Sequence, residues 1–165
     1  SFASMIRITG GRNAFPVHSD SYYRKAFAEF SATNQVLLLM AFFQEKPVAG
    51  LMAFAQGRRC WYLYGASADE HREVMAPYFL QWEAIRWARS RGCSEYDLWG
   101  IPDEEEPDLE QQFTAREDGL WGVYRFKRGF GGRIHRTVGT WDRVFIRPAY
   151  TLYRMWSGRR TGNQA

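Results

Sequence analysis

Val36-Leu-Leu-Leu-Met-Ala-Phe-Phe43 is an unbroken apolar run of eight residues bounded by turn-forming residues on both sides. It is far too short to span a bilayer, and it lacks the 3.6-residue spacing of an amphipathic helix. Its pattern is that of a strand buried on both faces. Gln44-Glu-Lys-Pro then predicts a tight turn, Val48 to Ala55 a second strand, and Gln56-Gly-Arg another turn. Gly50 within the second strand marks a close approach or a bulge. Cys60-Trp-Tyr-Leu-Tyr reads as a third strand, so the three runs predict an antiparallel meander.

The flanking segments are helical in period. Ala3 to Thr9 predicts a first helix that breaks at Gly10-Gly11, and His18-Ser-Asp supplies a cap for a second helix over Ser21 to Phe30. Pro77 suits a first helical turn, and Tyr78 to Arg91 carries an apolar arc through Leu80, Ala84, Trp87 and Ala88 before the stop at Gly92. Tyr96-Asp-Leu-Trp-Gly then reads as a short strand, which makes helix and strand a crossover onto the sheet. A short helix is expected from Gly119 to Lys127, one or two strands between Ile134 and Phe145, and a terminal helix from Pro148 to Trp156. The 165 residues fit one domain, with residues 157–165 as a flexible tail. This order of elements is that of a GNAT-like acyltransferase fold, an α/β architecture with a mixed central sheet flanked by helices.

Charge is distributed unevenly. The stretch from Asp103 to Asp118 carries a net −7 and reads as an exposed acidic loop, whereas Trp121 to the C-terminus carries +9. In that basic segment the cations alternate with Trp121, Tyr124, Phe126, Phe130 and Trp141, a mixture that suits both phosphates and bases, or else a solvated face. Cys60 and Cys93 form neither a disulfide framework nor a metal-ligand pattern, which fits a reducing cytosol. Arg7 and Arg12 interrupt any signal-peptide core. His18 and His135 lack partners at metal spacing, so no metal is expected, and Ser67 with His71 makes only a dyad without an orienting third group.

Several segments occur in a telling order: Tyr64-Gly-Ala-Ser, Gln81-Trp-Glu-Ala-Ile, Tyr96-Asp-Leu-Trp-Gly-Ile, Tyr124-Arg-Phe-Lys-Arg-Gly-Phe-Gly-Gly, Val138-Gly-Thr-Trp-Asp and Pro148-Ala-Tyr-Thr-Leu-Tyr. This series resembles the FemABX aminoacyltransferases, which build the cross-bridges of bacterial peptidoglycan, and it is similar to the second of that family's two GNAT-like domains. The resemblance implies a cytoplasmic enzyme that needs no cofactor. Its donor would be aminoacyl-tRNA, and its acceptor the stem peptide of a peptidoglycan precursor, UDP-MurNAc-pentapeptide or lipid II. It also implies an N-terminal domain, or a second copy of this chain, to complete the pair, and the basic C-terminal segment suits peripheral contact with the anionic inner membrane surface.

Lys127 matches the family's Phe-Lys lysine, so the resemblance assigns it the stabilisation of the oxyanion that forms on the ester carbonyl. Phe126 is expected as a wall, a stacking ring or core packing. Arg125 and Arg128 are expected on acceptor-stem phosphates, with Lys127 and Arg128 sharing one helix side. Tyr64 and Trp99, near the ends of two central strands, are expected either to line the substrate cleft or to pack as core residues. Two rival readings share the features in part. An acetyl-coenzyme A N-acetyltransferase would share the fold, but Gly65 to Pro77 lacks a pyrophosphate-binding glycine pattern and carries Asp69, Glu70 and Glu73. A non-catalytic RNA-binding module would use the basic segment alone.

Overall fold

The computed structural model describes residues 2–13, 16–139 and 141–161, and it comprises two compact units, Ser1–Gly132 and Arg133–Ala165. In the first unit, helices α1 (Phe2–Asn13) and α2 (Asp20–Ser31) precede strands β1 (Val36–Phe43), β2 (Lys46–Gln56) and β3 (Arg59–Ser67). Helix α3 (Ala76–Ser90) leads to β4 (Glu95–Asp97), followed by α4 (Glu106–Gln112) and α5 (Trp121–Arg128). The sheet order is β1-β2-β3-β4, with antiparallel pairing along the meander and parallel pairing of β4 with β3. The fold is a GNAT-like α/β arrangement with a mixed sheet, as the sequence predicts.

Strand alternation assigns the two faces of the sheet. Leu51, Ala53 and Ala55 of β2 pack with Leu80, Ala84 and Ala88 of α3, while Met52 and Phe54 pack with Phe2, Met5 and Ile6 of α1 and Tyr23 of α2. The strand shielded on both faces is therefore β2, whose residues 48–55 are all buried. The run at 36–43 is instead the edge strand, and most of it is half-buried. Gly50 answers to close approach: an added Cβ would lie 2.7 Å from the Phe2 ring and 2.9 Å from the Met40 sulfur.

The local signals hold at most element ends. The Ser19 side chain accepts from the Tyr22 N–H at the start of α2. Gly92 takes φ +79°, with Cys93 N–H bonded to the Ala88 carbonyl and Gly92 N–H to Arg89, which closes α3 in a Schellman turn. Three further expectations are corrected. Helix α1 continues through Gly10-Gly11, because Thr9 hydroxyl-bonds both Met5 and the Ser67 backbone, and Arg12 grips Ser67 and Asp69. The acidic stretch is not all loop, since Glu106-Pro-Asp forms the first turn of α4, where carboxylates meet the positive helix end and Leu109 is fully buried.

The third correction concerns the second unit. Residues 134–139 and 141–145 form no strand among the described residues, since no ladder partner is hydrogen-bonded to them. Helix α6 (Arg147–Thr161) follows, with the Tyr150 hydroxyl donating to Asp142 at 2.7 Å. The helical backbone thus enters the segment expected as a tail from 157, and residues 162–165 lie outside the described part. Among the described residues no helix is long and apolar enough to cross a membrane.

Candidate active site

Strands β3 and β4 pair only over Arg59–Glu95, Cys60–Tyr96 and Trp61–Asp97, after which β3 runs on to Ser67 and β4 ends. Beyond that pairing β3 has no neighbouring strand on the β4 side among the described residues, and α5 delivers Lys127 beside the Tyr62 ring there. Trp121, Tyr124 and Lys127 recur every three residues along α5 and are its buried side chains. Leu109 of α4 packs with Trp121 and Tyr124 and seats the helix. The Lys127 ammonium donates to the Gly100 carbonyl at 2.5 Å and stands 5.9 Å from the centre of the Tyr62 ring.

A lysine is seldom buried. Lys127 is only 8% exposed, and desolvation brings it down from its ordinary 10.5 to about 8, with attraction from Asp97 acting in the opposite direction. Around it lie neutral polar groups. The Tyr96 hydroxyl donates at 2.7 Å to Gln81 of α3, which is fully buried and hydrogen-bonds Tyr62 as well. Burial pushes the Tyr62 phenol up to about 12 and also raises Tyr96. Gln81, Tyr62, Tyr96, Asp97 and Gly100 were not among the residues expected at the site. Gln81 was discernible as the one amide within the apolar arc of α3.

A bulge explains why Tyr62 rather than Tyr64 neighbours the lysine. Met52 pairs with Tyr64 but Ala53 pairs with Tyr62, so Leu63 is the extra residue on β3. Tyr62 consequently packs on the α3 face, while Leu63 and Tyr64 pack on the α1–α2 face. There the Tyr64 hydroxyl lies 2.9 Å from that of Tyr22, His18 stacks on Tyr22 at 4.0 Å, and burial raises the Tyr64 phenol. Tyr64 and Lys127 therefore belong to opposite faces of the sheet.

The remaining expected residues divide. Trp99 is adjacent to Gly100, 60% exposed and at φ +64°, its N–H donating to the Asp97 carboxylate at 2.8 Å. Phe126 is half-buried and packs against exposed Tyr78 (4.8 Å between ring centres) and Phe130 (5.3 Å), in an aromatic cluster outside the buried core clusters. Arg125 donates to the Phe113 and Thr114 carbonyls and pairs with Glu117. Arg128 forms a bidentate pair with Glu110 and lies over the Phe113 ring, so its fork is spent on α4 and does not join Lys127. Glu110 accepts from Tyr124 too, and these bonds hold its carboxyl down at about 2.

Ser67 and His71 do not share a helix: Ser67 bonds Arg12, and His71 bonds Glu73. Among the described residues no group of three or more metal-binding side chains converges. Asp69, Glu70 and Glu73, in the loop before α3, are paired with Arg12, Lys46 and His71. Two open grooves lie elsewhere in the first unit, one of about 440 Å³ at Lys46, Asp69 and Glu70 and one of about 320 Å³ at Tyr22, Trp61 and Tyr64; Lys127 lines neither.

Comparison with known proteins bears on the family and the fold. The chain is 28% identical over 114 residues to the lipid II:glycine glycyltransferase of Staphylococcus epidermidis and 27% identical to that of Staphylococcus aureus. Each match covers 69% of this chain but 25% of the relative, so the chain spans about a quarter of the length of those proteins. The crystal structure of FemX superposes with a TM-score of 0.74 at 17% identity, covering 92% of this chain and 52% of FemX. An aminoglycoside 6'-N-acetyltransferase from Acinetobacter haemolyticus gives 0.61 at 14% identity, covering 88% and 91%. Both structures show the fold. A sequence model of the FemAB family matches residues 42–157, which is most of the chain, and the protein belongs to that family.

Proposed function

We propose that this chain is the C-terminal GNAT-like part of a cytoplasmic aminoacyltransferase that moves an amino acid from aminoacyl-tRNA to the stem peptide of a peptidoglycan precursor, UDP-MurNAc-pentapeptide or lipid II. The observation that carries the reading is the buried ammonium of Lys127, bonded to the Gly100 carbonyl just past the point where β4 stops pairing with β3. The relatives named for lipid II:glycine transfer support the acceptor class.

In the reaction the stem-peptide amine attacks the ester carbonyl, and the carbonyl π electrons move onto oxygen. Collapse of the tetrahedral centre re-forms the carbonyl, breaks the bond to the terminal ribose oxygen and leaves an amide. That ribose oxygen takes up the proton the amine has lost. An ammonium has three N–H donors, of which the Gly100 carbonyl receives one. Lys127 stays mainly protonated at neutral pH, where its charge meets the developing oxyanion in a poorly hydrated site. Exposed Trp99, beside Gly100, offers a stacking face for a base of the acceptor end. Basic residues of the segment after Gly132 are the candidates for phosphate contacts, while Arg125, held by the Phe113 and Thr114 carbonyls and Glu117, and Arg128, held by Glu110, brace α5.

Coenzyme A is disfavoured by the paired acids at 69, 70 and 73, which offer no anion cradle before α3. The test is incubation of the protein with charged tRNA and each precursor, followed by mass spectrometry. The expected result is a precursor heavier by one aminoacyl residue, a gain that Lys127→Ala removes while affinity for charged tRNA stays near the original. An unchanged precursor with the full-length enzyme that carries this part, or parallel loss of transfer and affinity in its Lys127→Ala variant, refutes the reading.

A further inference from the structure

We infer that Asp97 is a positioning residue for Lys127: its carboxylate holds the Trp99–Gly100 turn that presents the Gly100 carbonyl to the ammonium, and it supplies the counter-charge for that ammonium. The inference rests on the functional reading of Lys127. Asp97 is the last residue of β4 paired to β3, so it marks the point where the strands part. Its side chain accepts from the Trp99 N–H at 2.8 Å. That bond stabilises Trp99 at φ +64°, a left-handed conformation that a bulky residue avoids without support. The next carbonyl, at Gly100, is the acceptor of Lys127. One side chain thus reaches the lysine twice, through the turn and through its charge.

The surroundings leave this task to Asp97. From β3 the lysine meets the Tyr62 phenol, raised to about 12, and beyond it on β3 the Cys60 thiol is likewise raised to about 12 by burial, so both are neutral. Tyr96 of β4 is raised and neutral, and Gln81 of α3 is an uncharged amide. Glu110 of α4 is occupied by Arg128 and Tyr124. Asp97 is the carboxylate whose attraction favours the protonated lysine against burial. With that charge gone, desolvation acts alone and the ammonium loses its proton more readily.

The chain has three lysines, Lys25, Lys46 and Lys127, so selective ¹³C labelling at lysine Cε gives three resonances, and Lys127→Arg identifies one by its disappearance. The titration of Lys127 is followed in the unmodified protein and in Asp97→Asn, Asp97→Ala and Asp97→Glu, with backbone amide spectra recorded in parallel. Asn keeps the oxygen that caps Trp99 and removes the charge. It is expected to weaken proton binding at Lys127 by about tenfold or more, with the Trp99 and Gly100 amides little moved. Ala removes both functions and shifts those amides as well, and Glu recovers part of the proton affinity. The same Lys127 titration in Asp97→Asn as in the unmodified protein overturns the proposal. Should Asp97→Ala fail to fold, the Asn and Glu variants decide it. No substrate enters the measurement, so a failed transfer assay and a failed titration prediction are separate results.

Discussion

Replacing Lys127 by Met separates the energetic cost of a buried ammonium from its use. Met has a similar length and no charge, so it fills the site while removing the desolvated group. The fall from 10.5 to about 8 corresponds to roughly 3 kcal/mol against the charged form, at about 1.4 kcal/mol per tenfold change. Met also deprives the Gly100 carbonyl of its donor, a loss of about 1 kcal/mol. The net expectation is a variant more stable than the parent by about 2 kcal/mol at pH 7. Folding lowers the proton affinity of Lys127, so the folded chain sheds that proton before the unfolded one does. Between about 8 and 10.5 the unfolded state binds more protons, and parent stability gains with rising pH relative to the variant. The advantage of Met should therefore shrink through that window and reverse near its top, because the neutral amine still bonds Gly100.

Urea unfolding of both proteins at pH 7, 8, 9 and 10, taken as a difference, cancels the tyrosine and cysteine titrations they share. A variant less stable at pH 7, or a difference that does not change with pH, refutes the reasoning. Stabilisation accompanied by loss of transfer would show a residue whose presence folding alone does not explain.

Three further outcomes follow from the packing. Gly50→Ala forces a methyl against Phe2 and Met40 and should cost about 1–3 kcal/mol, lowering Tm by roughly 3–10 °C in a thermal melt; an unchanged Tm contradicts the close approach. Gln81→Leu removes the partner of the Tyr96 hydroxyl and of Tyr62, so urea unfolding should show a loss of roughly 2–5 kcal/mol, and a neutral result would mean that the phenols find other partners. For Glu110→Gln the sign is that of a lowered carboxylate: the parent's advantage is present above the ordinary value of about 4.3 and disappears as pH falls through about 2. Acid titration of both proteins by circular dichroism checks this, and a gap that persists below pH 2 contradicts the assigned pairing.

The meander, the α3 crossover and its glycine stop were legible because each rests on local signals: short apolar runs, tight turns, and a glycine at positive φ. Which strand is central was not legible, since 36–43 and 48–55 are similarly apolar and only the sheet order makes the first an edge. Helix α1 persists across Gly10-Gly11 because contacts from Thr9 and Arg12 to Ser67, over fifty residues away, override local propensity. Lys127 stood out through its motif, whereas its burial depends on α4 seating α5 through Leu109. Tyr62 was invisible beside Tyr64 because a strict period of two puts both on one face. Only the register with β2 reveals the extra residue between them.

That bulge and the short β4 act together on the site. A strand that continued beyond Asp97 would cover the β3 edge with ladder hydrogen bonds and leave no opening. By ending there, β4 gives its next residues to a turn whose carbonyl takes the lysine. The bulge at Leu63 meanwhile keeps the Tyr62 ring on the α3 side, where Gln81 fixes its hydroxyl and its face lies near Nζ. Each device sacrifices regular sheet pairing beside a group whose burial already opposes its charge. Two sheet irregularities thus lie beside one buried cation, and the charge-holding role proposed for Lys127 gives each of them a use.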